Sequence, residues 1–78
     1  MAELILHKQK EIDSAYITAC LIRFCGHDHL QAEQCALIVQ LKGKYSIKNG
    51  NIDDIYQLHE SFESVGLETN INNNGSNG

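Results

Sequence analysis

The chain has 78 residues, 42% of them hydrophobic, with ten acidic and six basic side chains and a formal net charge of −4. That is enough for one small domain, which buries roughly 60% of the surface its unfolded chain exposes, and too little for a deep catalytic cleft; no apolar run approaches the ~18 residues of a membrane span. The positive charges, Lys8, Lys10, Arg23, Lys42, Lys44 and Lys48, are scattered along the sequence, whereas a nucleic-acid reader concentrates them on one face, so DNA and RNA binding are set aside although Lys42, Lys44 and Lys48 could form a short basic strip.

Met1 to His7 offers too short an apolar stretch and no basic start for a secretory signal, and a cytoplasmic protein is expected. Cys20, Cys25 and Cys35 are an odd set among apolar neighbours, which predicts reduced, buried thiols rather than a disulfide framework.

In chain order, Glu3 to His7 is short and apolar and predicts a strand with Leu4 and Leu6 on one face. Asp13 is the N-cap of a helix carrying Tyr16, Ile17, Cys20, Leu21 and Phe24 at helical spacing, closed by Gly26. Asp28, with Gln31 three residues on, opens a second helix, and its nearly unbroken apolar run from Cys35 to Val39 predicts a helix buried around most of its circumference before Gly43 stops it. Tyr45 and Ile47 alternate with Lys44, Ser46 and Lys48, a strand with one wet face, followed by a turn at Asn49-Gly50. Asn51 and Asp54 open a third helix with Ile52, Ile55, Tyr56, His59 and Phe62 on its stripe and Gly66 at its end; Leu67, Thr69 and Ile71 then alternate as a last strand.

The order β-α-α-β-α-β predicts an α+β fold in which a three-stranded antiparallel sheet is backed by helices on one face. Residues 1–71 are expected to form a single domain, with 72–78, all Asn, Gly and Ser, as a disordered tail.

No cluster asks for catalysis. Cys25, His27 and His29 supply zinc-type donors, but the repeated ligand pairs of a zinc site are missing, and His27 and His29 are expected to face water beside a helix start. Cys25 near His27 lacks a third orienting group and an oxyanion site. Asp53-Asp54 sits where the helix dipole favours carboxylates, and the glycines stand singly, without a phosphate loop. His59, Tyr56, Phe62 and Tyr45 are expected to pack in the core or at its edge. Neither an enzyme, a cofactor nor a bound metal is expected.

Leu4-Ile-Leu-His7, Phe24-Cys-Gly-His-Asp28, Gln31-Ala-Glu-Gln-Cys-Ala36, Gly43-Lys44, Ile47-Lys-Asn-Gly50 and Gly66-Leu67-Glu-Thr69 together resemble the core domain of ClpS, the adaptor of the ATP-dependent Clp protease, most closely in its Bacteroides and Flavobacterium forms. The resemblance covers residues 3–71 and implies the same element order. It also implies an adaptor that captures proteins by a bulky N-terminal residue and docks on the N-terminal domain of a Clp-type unfoldase. The family grips the ligand's α-amino group with an Asn-Asp-Asp run after the first strand and a His late in the second helix. Here those positions are Lys8, Gln9, Lys10 and Gln40. Lysine offers only donors and repels an ammonium ion, so this grip is expected to be lost, with Gln40 retaining an acceptor. The family's apolar pocket falls on Ser14, Ile17, Ala36, Val39 and Leu67, where a plain hydrophobic core is the competing reading; its unfoldase-facing surface falls partly on Asp54 and His59. ClpS proteins also carry a flexible N-terminal extension that engages the unfoldase pore, and here the first strand begins almost at Met1. The expected function is that of a monomeric, non-enzymatic protein-binding adaptor or decoy, with reuse of the scaffold in another assembly as the alternative.

Overall fold

The computed structural model describes residues 1–73. The elements are β1 (Ala2–His7), α1 (Ser14–Cys25), α2 (His29–Lys42), β2 (Lys44–Gly50), α3 (Ile52–Ser64) and β3 (Thr69–Asn73). They form the expected α+β arrangement: the three strands make one antiparallel sheet in the order β2-β1-β3.

Each helix begins on a side chain able to satisfy an otherwise unpaired N–H group. Asp13 accepts from the Tyr16 N–H at 3.0 Å, Asp28 from that of Gln31 at 2.8 Å and Asn51 from that of Asp54 at 2.9 Å. Gly26 and Gly43 follow α1 and α2 with φ of 71° and 88°, a left-handed backbone that side chains resist. The N–H of Gly43 closes α2 on the Val39 carbonyl at 2.8 Å.

The core lies between the sheet and the helices. Alternation along β1 buries Ala2, Leu4 and Leu6 while Glu3, Ile5 and His7 are half-buried. Against them pack Ile17 and Leu21 of α1, Ala32, Cys35, Ala36 and Val39 of α2, and Ile55 and Phe62 of α3. The Phe24 and Phe62 rings meet edge to face with centroids 5.2 Å apart, an arrangement that matches ring edge to ring face electrostatically.

Several local expectations are corrected. Helix α2 is buried on one side only: its inner face carries small residues that let α1 approach closely, while Leu30, Leu37 and Leu41 remain 65%, 56% and 75% exposed. Strand β2 runs through Asn49-Gly50 rather than turning there, because Glu3 and Ala2 of β1 pair with those residues. The last strand lies at 69–73 rather than 67–71; Asn72 and Asn73 pair with Glu3 and Ala2, and 74–78 fall outside the described residues. Between Leu4 and Ile5 the β1–β2 register shifts, so Leu4 faces Lys48 and Ile5 faces Ser46. The unmatched residue, Ile47, is a bulge buried at 4% exposure. Tyr45 and Tyr56 are exposed rather than core residues.

Truncating Phe62 to Ala removes a fully buried ring and is expected to cost about 3–5 kcal/mol, whereas Leu37→Ala on the outer face of α2 should stay within about 0.5 kcal/mol. Urea denaturation of the two variants tests the assignment of inside and outside.

Candidate functional site

The turn leaving β1 is held at three points. Lys8 donates its backbone N–H to the Gly43 carbonyl at 2.8 Å, and the His7 N–H donates to the Glu68 carbonyl at 3.1 Å. Between them the Gln9 carboxamide spans to the segment after α3: its Oε1 accepts from the Glu68 N–H at 2.6 Å and its Nε2 donates to the Gly66 carbonyl at 3.2 Å. Both ends of the amide are consumed inside the molecule. Gln9 thereby brackets Leu67, which is 1% exposed. Lys8 and Lys10 on either side are exposed.

The five positions expected to line an apolar pocket separate into two groups. Ile17, Ala36, Val39 and Leu67 belong to the closed core. Ser14 is exposed at the first position of α1 and faces a groove of about 410 Å³ between α1 and α2, lined also by Thr18, Leu37 and Gln40. Gln40 is half-buried there. At the far end of the groove His29 and Glu33 stand 3.0 Å apart across one helical turn, both well exposed.

Asp54 and His59 do not share a site. Asp54 completes the cap of α3, its carboxylate accepting from the Asn51 amide at 3.0 Å. His59 is half-buried, its Nδ1 2.6 Å from Thr69 Oγ1, while the Thr69 N–H donates to Glu63 at 3.0 Å. His59 instead lines a shallow hollow with Tyr56, Glu60, Glu63 and Ser64. Hydrogen bonding and the adjacent charge of Glu60 raise the Tyr56 phenol pKa. Sequence reasoning places Tyr56 with His59 on one stripe but misses Glu60, Glu63 and Ser64, although Glu60 and Glu63 follow Tyr56 at the four- and three-residue steps that align side chains on a helix. Helix α3 contains Asp53, Asp54, Glu60 and Glu63 and no Lys or Arg; the chain's other six acids are matched by its six bases, so the net charge of −4 resides on this helix.

The corner where α1, α2 and β2 meet holds Cys25 and Cys35, while Cys20 lies on the side of α1 toward Val65. His27 is buried, not facing water: its Nε2 lies 3.1 Å from the Ile47 carbonyl, which requires that nitrogen to carry the proton. The neighbouring Lys48 ammonium donates to the Cys25 carbonyl at 3.4 Å. Burial pushes the Cys25 thiol up to about 11; Lys48 opposes that shift and nearby Cys35 adds to it. A thiol so placed is protonated at neutral pH and a poor nucleophile. Among the described residues no three His, Cys, Asp or Glu side chains converge as a metal site would require.

No protein-family model matches the chain, and no curated protein matches it. The fold comparison gives a definite result: the architecture is that of the ClpS-like α+β domains. The chain superimposes on Agrobacterium tumefaciens ClpS2, solved bound to L-phenylalaninamide, with a TM-score of 0.78 over 91% of this chain and 93% of that one, at 9% sequence identity. No helix among the described residues is long and apolar enough to cross a membrane.

Two outcomes follow from these contacts. Gln9→Ala removes both clamps on residues 66–68 and should cost about 1–2 kcal/mol in denaturation, with faster amide exchange at Glu68. Cys25 has a raised folded-state pKa, so its contribution is intact below the unfolded value near 9.0 and is lost as pH rises toward about 11. Stability should fall across that interval, and Cys25→Ala should flatten the decline.

Proposed function

We propose that the chain is a non-enzymatic adaptor of the ClpS kind that docks on the N-terminal domain of a Clp-type unfoldase without capturing ordinary N-degrons. The observation that carries this reading is the superposition on ClpS2 along nearly the whole of both chains. Loss of the amine grip is supported by the Gln9 clamp and by the lysines beside it. An α-ammonium group needs acceptors and negative charge, and here the Gln9 carboxamide is already occupied between two lysines, which leaves only Gln40 as an acceptor among the four positions. Like-charge juxtaposition of this kind costs several kcal/mol.

The docking face is α3. Its concentrated negative charge, with Ile52 and Tyr56 exposed beside it, suits a basic partner surface with small apolar recesses. The other reading, a scaffold reused as a packing unit in an unrelated assembly, is favoured by the closure of Ile17, Ala36, Val39 and Leu67 into core. A monomer is expected under either.

Titration with the unfoldase N-terminal domain separates them. Binding at tens of micromolar or tighter, weakened about tenfold by Asp54→Lys with Glu60→Lys, supports the adaptor; no binding in that range defeats it. Peptides beginning with Leu, Phe, Trp or Tyr should not bind at micromolar concentrations. Lys8→Asn, Gln9→Asp, Lys10→Asp and Gln40→His together should raise their affinity.

A further inference from the structure

Lysines that are scattered in the sequence meet in the fold. His7 pairs with Lys44 across the β1–β2 ladder, and the next residue, Lys8, donates its backbone N–H to Gly43, between Lys42 and Lys44. Lys10 follows in the same turn, which folds back through the Ile12 N–H on the Gln9 carbonyl. Four of the six positive side chains thus belong to one corner, all exposed. Glu11, Asp13 and Glu68 are the acids beside this corner, Asp13 being engaged as the cap of α1, yet the only ion pair among the described residues is His29–Glu33. Among the described residues the four ammonium groups therefore have no carboxylate within ion-pair distance.

The same corner adjoins the open end of the α1–α2 groove. Gln40 precedes Lys42 by two residues, and Ser14 opens the helix that follows the Lys10 turn; both line the groove. Its wall includes the exposed Leu37, and Leu41 lies one helical turn further along. From Glu33 to Gln40 the helix rises roughly 10 Å, a span covered by about three extended residues.

We propose that this lysine corner and the Ser14–Gln40 end of the groove bind an acidic peptide segment, one in which several carboxylates flank an apolar residue. The ammonium groups come from two chain segments and spread over a surface, which suits several acidic side chains better than a single terminal carboxylate. Leu37 and Leu41 supply contact for the apolar residue, and Gln40 can hydrogen-bond the peptide backbone. The inference rests on the adaptor reading only for the peptide's origin, as a segment of a client protein.

The test is fluorescence anisotropy with the full chain and a dye-labelled peptide containing three Glu and one Leu, against a matched peptide with Lys in place of Glu. The acidic peptide should bind at least about tenfold tighter than the basic one and weaken between about 50 and 200 mM salt. Lys8→Glu with Lys44→Glu should abolish binding, while Arg23→Glu, outside the corner, should leave it within about twofold. Equal binding of both peptides, dependence on a free rather than amidated C-terminus, equal loss in the Arg23→Glu variant, or tighter binding of a short oligonucleotide would each overturn the proposal. Unfoldase-domain binding measured on the Lys8→Glu, Lys44→Glu protein tells the two readings apart: it persists when only the peptide site is at fault and is absent in the unsubstituted protein when the adaptor reading itself fails.

Discussion

The structure depends on β1 being central. The first strand in the sequence is the middle strand of the sheet, flanked by segments about forty and seventy residues away, and β2 and β3 do not pair with each other. The β2 edge cannot be placed until the chain has closed over α1 and α2, nor the β3 edge until it has also passed α3. Such non-local pairing is entropically expensive, so sheet assembly relies on the apolar contacts of Leu4 and Leu6 with the helices, and both leucines are completely buried. The locally capped α1 and α2, joined by a short connection, are suited to form early.

That placement also brings the lysine corner together. The end of β1 is where the α2–β2 connection and the 66–68 segment converge, so the residues leaving the strand can reach both. Gln9 uses this convergence for structure, locking Leu67 into the core, while Lys8 and Lys10 point their charge to solvent. The opposite sign gathers on α3. A chain with modest overall charge is consequently polarised between two surfaces, and partners of opposite chemistry can be accommodated without competing for the same residues.

Much of this was legible in the sequence because it is local. Asp13, Asp28 and Asn51 announced their helices, Gly26 and Gly43 announced the ends, and alternation identified β1. The errors came where tertiary packing decides. The apolar run in α2 predicts burial all round, but a helix covered on one side buries its small residues and leaves Leu30, Leu37 and Leu41 outside. The burial of His27 is not legible, because no sequence pattern shows that the connection between α1 and α2 meets the Ile47 carbonyl on the edge strand β2. Composition made Asn72 and Asn73 a tail, whereas β1 supplies their backbone partners. The lysines were counted as scattered because His7↔Lys44 pairing cannot be seen along a single line of residues. The double use of Gln9 was equally invisible, since its two partners lie 57 and 59 residues away.

The bulge at Ile47 has a consequence for how the molecule coexists with its own copies. An edge strand offers unpaired backbone groups to any passing strand, and long, flat, apolar edges aggregate. On β2 the extra residue bends the edge, and Lys48, opposite the core residue Leu4, leans over the helix side to the Cys25 carbonyl. An invading strand would have to follow a kinked rim and displace or bury that ammonium group. The irregularity that carries Ile47 into the core therefore also makes β2 a poor template for extending the sheet.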